Sequence, residues 1–506
     1  MHRLKIIKHS RACLLGAGLL CATAYGQQKR PNILFIMADD HASQAISAYG
    51  GRLAGVLPTP NIDRIAAEGA RLRNCFVTNS ISTPSRGAIL TGQYSHCNGV
   101  YTLGDQLDPA HPNVAKELSG AGYSTTIIGK WHLGTEPAGF DYYNVLPGQG
   151  RYYNPLLIEK GSWGSGGKEH EGHSTDVIAN LAIQAMEKAN RDQPFFVMCH
   201  FKAPHRSWEP AERFKDLLAD AVIPEPDNLL DDYDGKGRYA GLLQMSMEHL
   251  NQRDLKTSIP QGLPREEHRR WAYQLYMKDY LRCIAGIDEN VGRLLKYLDD
   301  EGLAENTVVI YTADQGFFLG EHGWFDKRLM YEESLRMPFM VRYPKEIPAG
   351  TLMDDLALNI DFAPLFLDYA GVSAPQWMQG RSFRQNLAGH SPDDWRRSVY
   401  YRYWMHADGA HNVTAHYGIR NHRYKLIFYY GQALGMKGAV DKPVEPDWEM
   451  YDLMEDPKEM RNVYNDASKA EIRDKLKTEL LQLKRLYGDE DAAYPQMKSI
   501  AQQYYW

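Results

Sequence analysis

From Asn32 to Met37 the chain reads Asn-Ile-Leu-Phe-Ile-Met, an apolar run with no polar alternation. Such a run suits a strand covered on both faces, as in a parallel sheet with helices on either side. Three further segments have this character: Thr125 to Ile128, Phe195 to Phe201 and Val308 to Tyr311. Helical patterns lie between them. Thr59 can cap a helix, Pro60 fits its first position, and Gly69 can end it. Ile284, Ile287, Val291, Leu294 and Leu295 recur at helical spacing within a stretch from Trp271 to about Asp299. Strands alternating with helices predict a doubly wound α/β sheet.

Ionisable and polar residues follow each of these strands. Asp39 and Asp40 follow the first, Lys130 and His132 the second, His205 the third, and Asp314 and Gln315 the fourth. Ligand sites of open α/β sheets lie beyond the carboxyl ends of the strands, so four distant segments are expected to converge on one rim. Any one of them alone reads equally well as a solvated loop charge. Asp39, Asp40, Asp314 and Gln315 offer oxygen ligands only, which suits a hard cation such as Ca²⁺ or Mg²⁺ rather than zinc. Ser82-Thr83-Pro84-Ser85-Arg86 places a serine at a helix start, where backbone N–H groups and the helix dipole favour an anion. On local sequence alone Ser82 is equally a plain helix cap.

The first residues read as an export leader, spanning 1–26. Arg3, Lys5, Lys8 and Arg11 precede an apolar run from Ala12 to Ala22, with small residues at Ala22, Ala24 and Gly26. That run is shorter than the roughly 20 residues a spanning helix needs, and no membrane span is expected. Cys21 raises a lipoprotein alternative, ranked second because Leu20 is too bulky before a lipidated cysteine. The whole chain carries a formal charge of −6, and the leader holds four cations and no acids, so the mature chain stands at about −10. An acidic chain is a poor nucleic-acid binder, and an anionic ligand must be met by cations gathered locally. Beyond the leader, Cys75, Cys97, Cys199 and Cys283 show no CxxC spacing and read as buried free thiols.

The texture changes after about Gly371, where Pro375, Gly380, Gly389 and Pro392 break it up. Aromatic strand-like runs follow at Ser398 to Trp404, Gly418 to Arg420 and Tyr424 to Tyr430, then a polar helical stretch from Lys469 to Tyr487. Residues 27–375 are read as the α/β catalytic domain. Residues 376–506 are read as a smaller α+β subdomain, an antiparallel sheet with one helix.

Five segments in order resemble the type I, formylglycine-dependent sulfatases. Ser82-x-Pro84-x-Arg86 with Thr91-Gly92 resembles the signature whose first Cys or Ser is oxidised to formylglycine. Gly122-Tyr123 through Gly129-Lys130-Trp131-His132-Leu133-Gly134 resembles the second signature. Phe201-Lys202-Ala203-Pro204-His205 is similar to the segment carrying a further histidine. Thr312 to Gly316, Gly320 to Gly323 and Asp326-Lys327 resemble the distal metal and lysine segment. Met450 to Leu453 with Asp456-Pro457 and Asn462 is similar to the family's C-terminal strand and turn. The modified position is Ser rather than Cys, the type matured by radical enzymes of anaerobic bacteria. Gln315 stands where many members have Asn.

The resemblance implies an alkaline-phosphatase-like α/β fold, with a mixed, mostly parallel sheet flanked by helices. It implies one Ca²⁺ per site held by Asp39, Asp40, Asp314, Gln315 and the modified Ser82. It implies Arg86, Lys130 and Lys327 as countercharges to sulfate, and His132 orienting the geminal diol. His205 with Lys327 would protonate the leaving oxygen, and Asp314 would act as base. Implied partners are a sulfated saccharide and an anaerobic sulfatase-maturing enzyme. The expected location is the periplasm, with the outer-membrane surface as the alternative.

For substrate, the expectation is the 6-O-sulfate of N-acetylglucosamine or glucosamine in heparan sulfate or mucin fragments, with Trp208, His416 and Arg420 as sugar contacts. A 2-O-uronate or galactosamine sulfatase stays open. So do a phosphate or phosphonate ester hydrolase of the same superfold, and a non-catalytic sulfated-glycan binder if Ser82 is unmodified.

Overall fold

A computed structural model describes residues 30–506, so the expected leader lies outside the described residues. Its centre is a ten-stranded sheet. In chain order the strands are β1 (Asn32–Ala38), β2 (Ala70–Leu72), β3 (Ser124–Lys130), β4 (Tyr142–Leu146), β5 (Leu156–Glu159), β6 (Lys168–Glu169), β7 (Phe195–His200), β8 (Thr307–Ala313), β9 (Phe339–Arg342) and β10 (Thr351–Met353). Their spatial order is β10-β2-β9-β8-β1-β7-β3-β4-β5-β6. The run β8-β1-β7-β3-β4 is parallel throughout. β9 pairs antiparallel with β8 and β2, and β5 and β6 add antiparallel pairs at the other edge. The sheet is therefore mixed and mostly parallel.

All four apolar runs form strands in the middle of that sheet. Every residue of β1 is buried. Ile33, Phe35 and Met37 enter one apolar core, while Leu34, Ile36 and Ala38 enter the other. Successive side chains of a strand point to opposite faces, so an unbroken apolar run is what a sheet covered twice requires. One face carries α1 (Pro60–Ala67), α4 (Ser174–Lys188) and the long α5 (Arg265–Asp300). The other carries α2 (Ser82–Thr91), α3 (Val114–Gly120) and α6 (Phe362–Tyr369). Thr59 precedes α1, as expected, yet makes no cap bond to its backbone; its hydroxyl donates to Asp63 Oδ1 at 2.9 Å instead.

The C-terminal part is a four-stranded antiparallel sheet, β11 (Ser398–Tyr403), β12 (His416–Asn421), β13 (Tyr424–Tyr429) and β14 (Asp447–Asp452), in that spatial order. Two helices accompany it, α7 (Ala470–Tyr487) and α8 (Pro495–Tyr504), one more than expected. Tyr400 and Phe428 turn one face of the sheet to these helices, against Tyr487 and Tyr505, while Tyr401 on the other face donates to the Arg328 carbonyl and accepts from the Ser80 N–H, so the sheet is packed between its own helices and the central part. Among the described residues no helix is long and apolar enough to cross a membrane. Cys75, Cys199 and Cys283 are buried free thiols, whereas Cys97 is exposed, because its four-residue helical turn lies at the surface.

Candidate active site

Four neighbouring parallel strands, β8, β1, β7 and β3, end on the same edge of the sheet and deliver the expected residues there. Asp39 and Asp40 follow β1, Lys130 closes β3, His205 lies beyond β7, and Asp314 and Gln315 follow β8. Asp40, with φ 68°, and His132, with φ 57°, take left-handed backbone conformations, which turn their side chains back over the rim.

Ser82 is the first residue of α2 rather than its cap, and no side chain caps that helix. Its buried hydroxyl donates to Asp39 Oδ1 at 3.3 Å. Arg86 lies one helical turn later on the same face. Its guanidinium donates to Asp314 Oδ2 from Nε at 3.2 Å and from Nη2 at 3.0 Å, and to the Lys130 carbonyl at 2.9 Å. Lys130 Nζ donates to Asp39 Oδ2 and to Gln149 Oε1. Lys327 Nζ donates to Asp40 Oδ1 at 2.5 Å. His205 Nε2 lies 3.8 Å from Asp40 Oδ2, and His132 Nδ1 lies 3.5 Å from the Thr83 hydroxyl.

Three carboxylates, Asp39, Asp40 and Asp314, thus face one another out of water. Burial, with Asp39 and Asp314 beside it, pushes Asp40 up to about 7 in spite of Lys327. Burial and Asp39 also raise Asp314. Burial would raise Asp39 too, but Lys130, His205, Arg86 and Lys327 hold it well below the usual range. Burial, then Lys130, keeps His205 neutral, and burial with Lys130 and Arg86 presses His132 down to about 2. Lys327 is raised against burial by Asp40, so it stays an ammonium.

These residues fit a hard divalent cation. Gln315 Nε2 donates to Asp314 Oδ1 at 2.8 Å and to Asp40 Oδ1, occupying the place of a positive charge, while its Oε1 is buried without a partner. Half a turn of that amide presents the oxygen to the carboxylates instead, completing an oxygen-rich donor set. Ligand atoms of Asp39, Asp40 and His205 lie within 4.8 Å of one another.

The three expected sugar contacts are corrected by their surroundings. Trp208 has no exposed surface and packs edge-on against Tyr276 at 4.6 Å. His416 is equally buried, between Tyr403 and Tyr429, and burial lowers it to about 4. Arg420 is committed to Glu332, with Nη2–Oε2 at 3.1 Å, and lies over the Phe76 ring. A strand-core ring or a paired guanidinium leaves no face for a sugar. His322 also stays outside the rim, held by Asp231 at 3.2 Å and close to Glu333.

Other residues take up positions that sequence reasoning passed over. Gln149 lies beyond β4, the next parallel strand, so the same strand-end rule reaches it. Lys202 Nζ donates to the Gln149 carbonyl at 3.2 Å and sits 4.8 Å from the centre of the Tyr152 ring. Burial and the nearby Lys130 lower Lys202 to about 8. Asp326 and Arg328 flank Lys327 with φ of 75° and 91° and form a buried set with Asp408 and His411.

The sulfatase family profile matches residues 31–372, more than half of the chain, and so takes in the whole rim. The chain belongs to the sulfatase family. It is therefore a sulfuric ester hydrolase. A second profile, the C-terminal part of N-sulphoglucosamine sulphohydrolase, matches residues 320–486 of this sulfatase. The chain is 42% identical to an N-acetylglucosamine-6-O-sulfatase of Bacteroides thetaiotaomicron over 93% of this chain and 89% of that one. It also resembles a solved protein in complex with its substrate D-glucosamine-2-N,6-O-disulfate, with TM-score 0.84, 42% identity and coverage of 92% and 99%. The phosphonate monoester hydrolase of Agrobacterium radiobacter, at TM-score 0.70 and 21% identity over 90% and 96%, shares the fold.

Proposed function

We propose that this sulfatase removes the 6-O-sulfate of N-acetylglucosamine or glucosamine units in sulfated glycans, using Ser82 oxidised to formylglycine and one Ca²⁺. The carrying observation is the 42% identity, over 93% of this chain, to an N-acetylglucosamine-6-O-sulfatase. The rim supports it: Ser82 sits among three cations and beside an oxygen-rich cradle.

A hydrated formylglycine supplies two hydroxyls on one carbon, one to attack sulfur and one to release sulfate. A cation held by Asp39, Asp40, Asp314 and Gln315 supplies fixed positive charge beside them. This chain's own residues do the rest. Arg86, Lys130 and Lys327 meet the charge that develops on the sulfate oxygens, in a water-poor site where such contacts count most. Lys327, held as an ammonium, brings a proton to the leaving oxygen. His205 starts neutral, and the negative charge of an arriving sulfate raises it toward protonation, so it can assist. His132 orients the nucleophile's hydroxyls from the Thr83 side.

Export to the periplasm, read from residues 1–26, and maturation by a radical maturing enzyme complete the reading. The test is protein from an anaerobic host with its maturase, with Ser82 conversion checked by peptide mass. It is then given 6-O-sulfated N-acetylglucosamine, a 2-O-sulfated uronate, a sulfated galactosamine and a phosphonate ester. Release from the first alone is expected. Release only from another identifies a different sulfatase or a phosphonate hydrolase. Binding without release by an unmodified Ser82 protein identifies a glycan binder.

A further inference from the structure

The charges of the rim are matched in pairs, with one exception. Lys130 is paired with Asp39, Lys327 with Asp40, and Arg86 with Asp314. Lys202 is as buried as they are, at 4% exposure, and among the described residues no ion pair is recorded for it. Its recorded contacts are the Gln149 carbonyl and the face of Tyr152. An ammonium has three N–H donors, and one carbonyl and a ring leave donor capacity over. Keeping such a charge out of water without a counterion is costly, and buried cations are normally paired.

The position of Lys202 says what would pair it. Gln149 receives two ammonium groups, Lys130 on its side-chain oxygen and Lys202 on its backbone oxygen. Lys130 also reaches Asp39, which accepts from Ser82, so Lys130 belongs to the scissile sulfate. Lys202 reaches the backbone oxygen of Gln149 rather than its side chain, and makes no hydrogen bond or ion pair to Asp39 or Asp40, though it feels their charge. Tyr152, under Lys202, also donates through its hydroxyl to the His205 carbonyl at 2.5 Å, so Lys202 stands beside the leaving-group histidine. That is the side on which the sugar, rather than the sulfur, must lie.

We propose that Lys202 binds a second anionic group on the saccharide that carries the scissile sulfate, so that this sulfatase selects doubly charged sugars. The inference rests on the saccharide reading above. Its ligand chemistry is a monoanionic oxyacid a few bonds from the cleaved ester, either an N-sulfate on the same ring or a uronate carboxylate on the next.

The test uses matured enzyme and compares wild type with Lys202→Met, which keeps the stem over Tyr152, and Lys202→Arg, which keeps the charge. Substrates are N-acetylglucosamine-6-O-sulfate, glucosamine-2-N,6-O-disulfate and a disaccharide joining the monosulfated sugar to a uronate. Lys202→Met should lose roughly 10–100-fold in kcat/KM, mainly through KM, on one of the two dianions. Lys202→Arg should recover most of it, and the monosulfate should change by less than about threefold. Which dianion responds names the group. Equal loss on all three substrates, or a wild type indifferent to the second anion, overturns the proposal. Binding of the same saccharides to unmatured Ser82 protein separates the two readings. If wild type prefers a dianion there and Lys202→Met does not, while matured enzyme cleaves none, the catalytic reading falls and this one stands.

Discussion

Two buried arrays of charge meet in the segment from Gly320 to Arg336, and they balance their carboxylates differently. At the sheet rim, Asp39, Asp40 and Asp314 face one another, and burial, added to by the two neighbouring carboxylates, lifts Asp40 to about 7. Beneath the C-terminal sheet, Glu332 pairs with three cations, Arg336 at 2.5 Å, Lys425 at 3.0 Å and Arg420 at 3.1 Å, with Glu333 and Glu459 close by. There burial, which would raise Glu332, is outweighed by Arg420 and Lys425, and its carboxyl lies well below the usual range. Lys425 then passes to Glu459 at 2.6 Å. Burial of charge therefore does not mark the working part of this protein. Carboxylates gathered round an amide whose own oxygen is left without a partner do.

The largest expected effect sharpens that contrast. Asp40→Asn removes the carboxylate paired with Lys327 but leaves Asp326, Asp39 and Asp314 near that ammonium, so metal-free stability should fall by only about 1–3 kcal/mol. Sulfate release should fall on the order of 10²–10³-fold, and the stabilisation conferred by Ca²⁺ should vanish. Thermal unfolding with and without Ca²⁺, beside a sulfate-release assay, reads both. A variant that still gains stability from Ca²⁺ would take Asp40 out of the cradle.

Glu332→Gln is the mirror experiment. It leaves Arg420 and Lys425 buried with less countercharge and should cost about 3–5 kcal/mol by chemical denaturation. Turnover per folded molecule should stay within about tenfold of wild type. Lost turnover at unchanged stability would merge the two arrays into one machine.

A smaller effect appears with pH. Burial, then Glu332 and Glu333, holds Glu459 at about 7 against its ordinary 4.5, with Lys425 opposing. Between about pH 4.5 and 7 the unfolded chain releases this proton while the folded chain keeps it. The contribution of Glu459 therefore makes stability fall as pH rises through that window. Glu459→Gln should gain on wild type across it by on the order of 2 kcal/mol, measured as denaturation midpoints at several pH values. Parallel profiles would remove Glu459 from the account.

The smallest change is Arg420→Met, which keeps an apolar stem over Phe76. It should cost about 1–2 kcal/mol of stability and leave KM for the sulfated saccharide within about twofold. A large rise in KM would return Arg420 to the substrate.

Much of the fold was legible because its strongest signal is local. β1, β3, β7 and β8 are buried on both faces, and only an apolar run can serve there. The rim followed from those strands, since parallel neighbours end on one edge. The substrate contacts were not legible. Trp208, His416 and Arg420 have the chemistry of sugar binders, but chemistry does not tell which side of a strand or loop a residue faces. Gln149 follows a weaker strand, and Lys202 is one lysine among many until its missing counterion is seen.

By itself, then, the sequence determined the α/β class, the order of the strands that carry Asp39, Lys130, His205 and Asp314, and the serine at the head of α2. These are properties of short segments, written in apolar runs and in residues a few positions apart. Only the tertiary structure decided which charges are paired. It set Lys130 on Asp39, closed Arg420 onto Glu332 across 88 residues, and left Lys202 without a recorded ion pair. A charge is matched or unmatched only by what the folded chain brings within a few ångströms of it, and separation along the sequence carries no record of that.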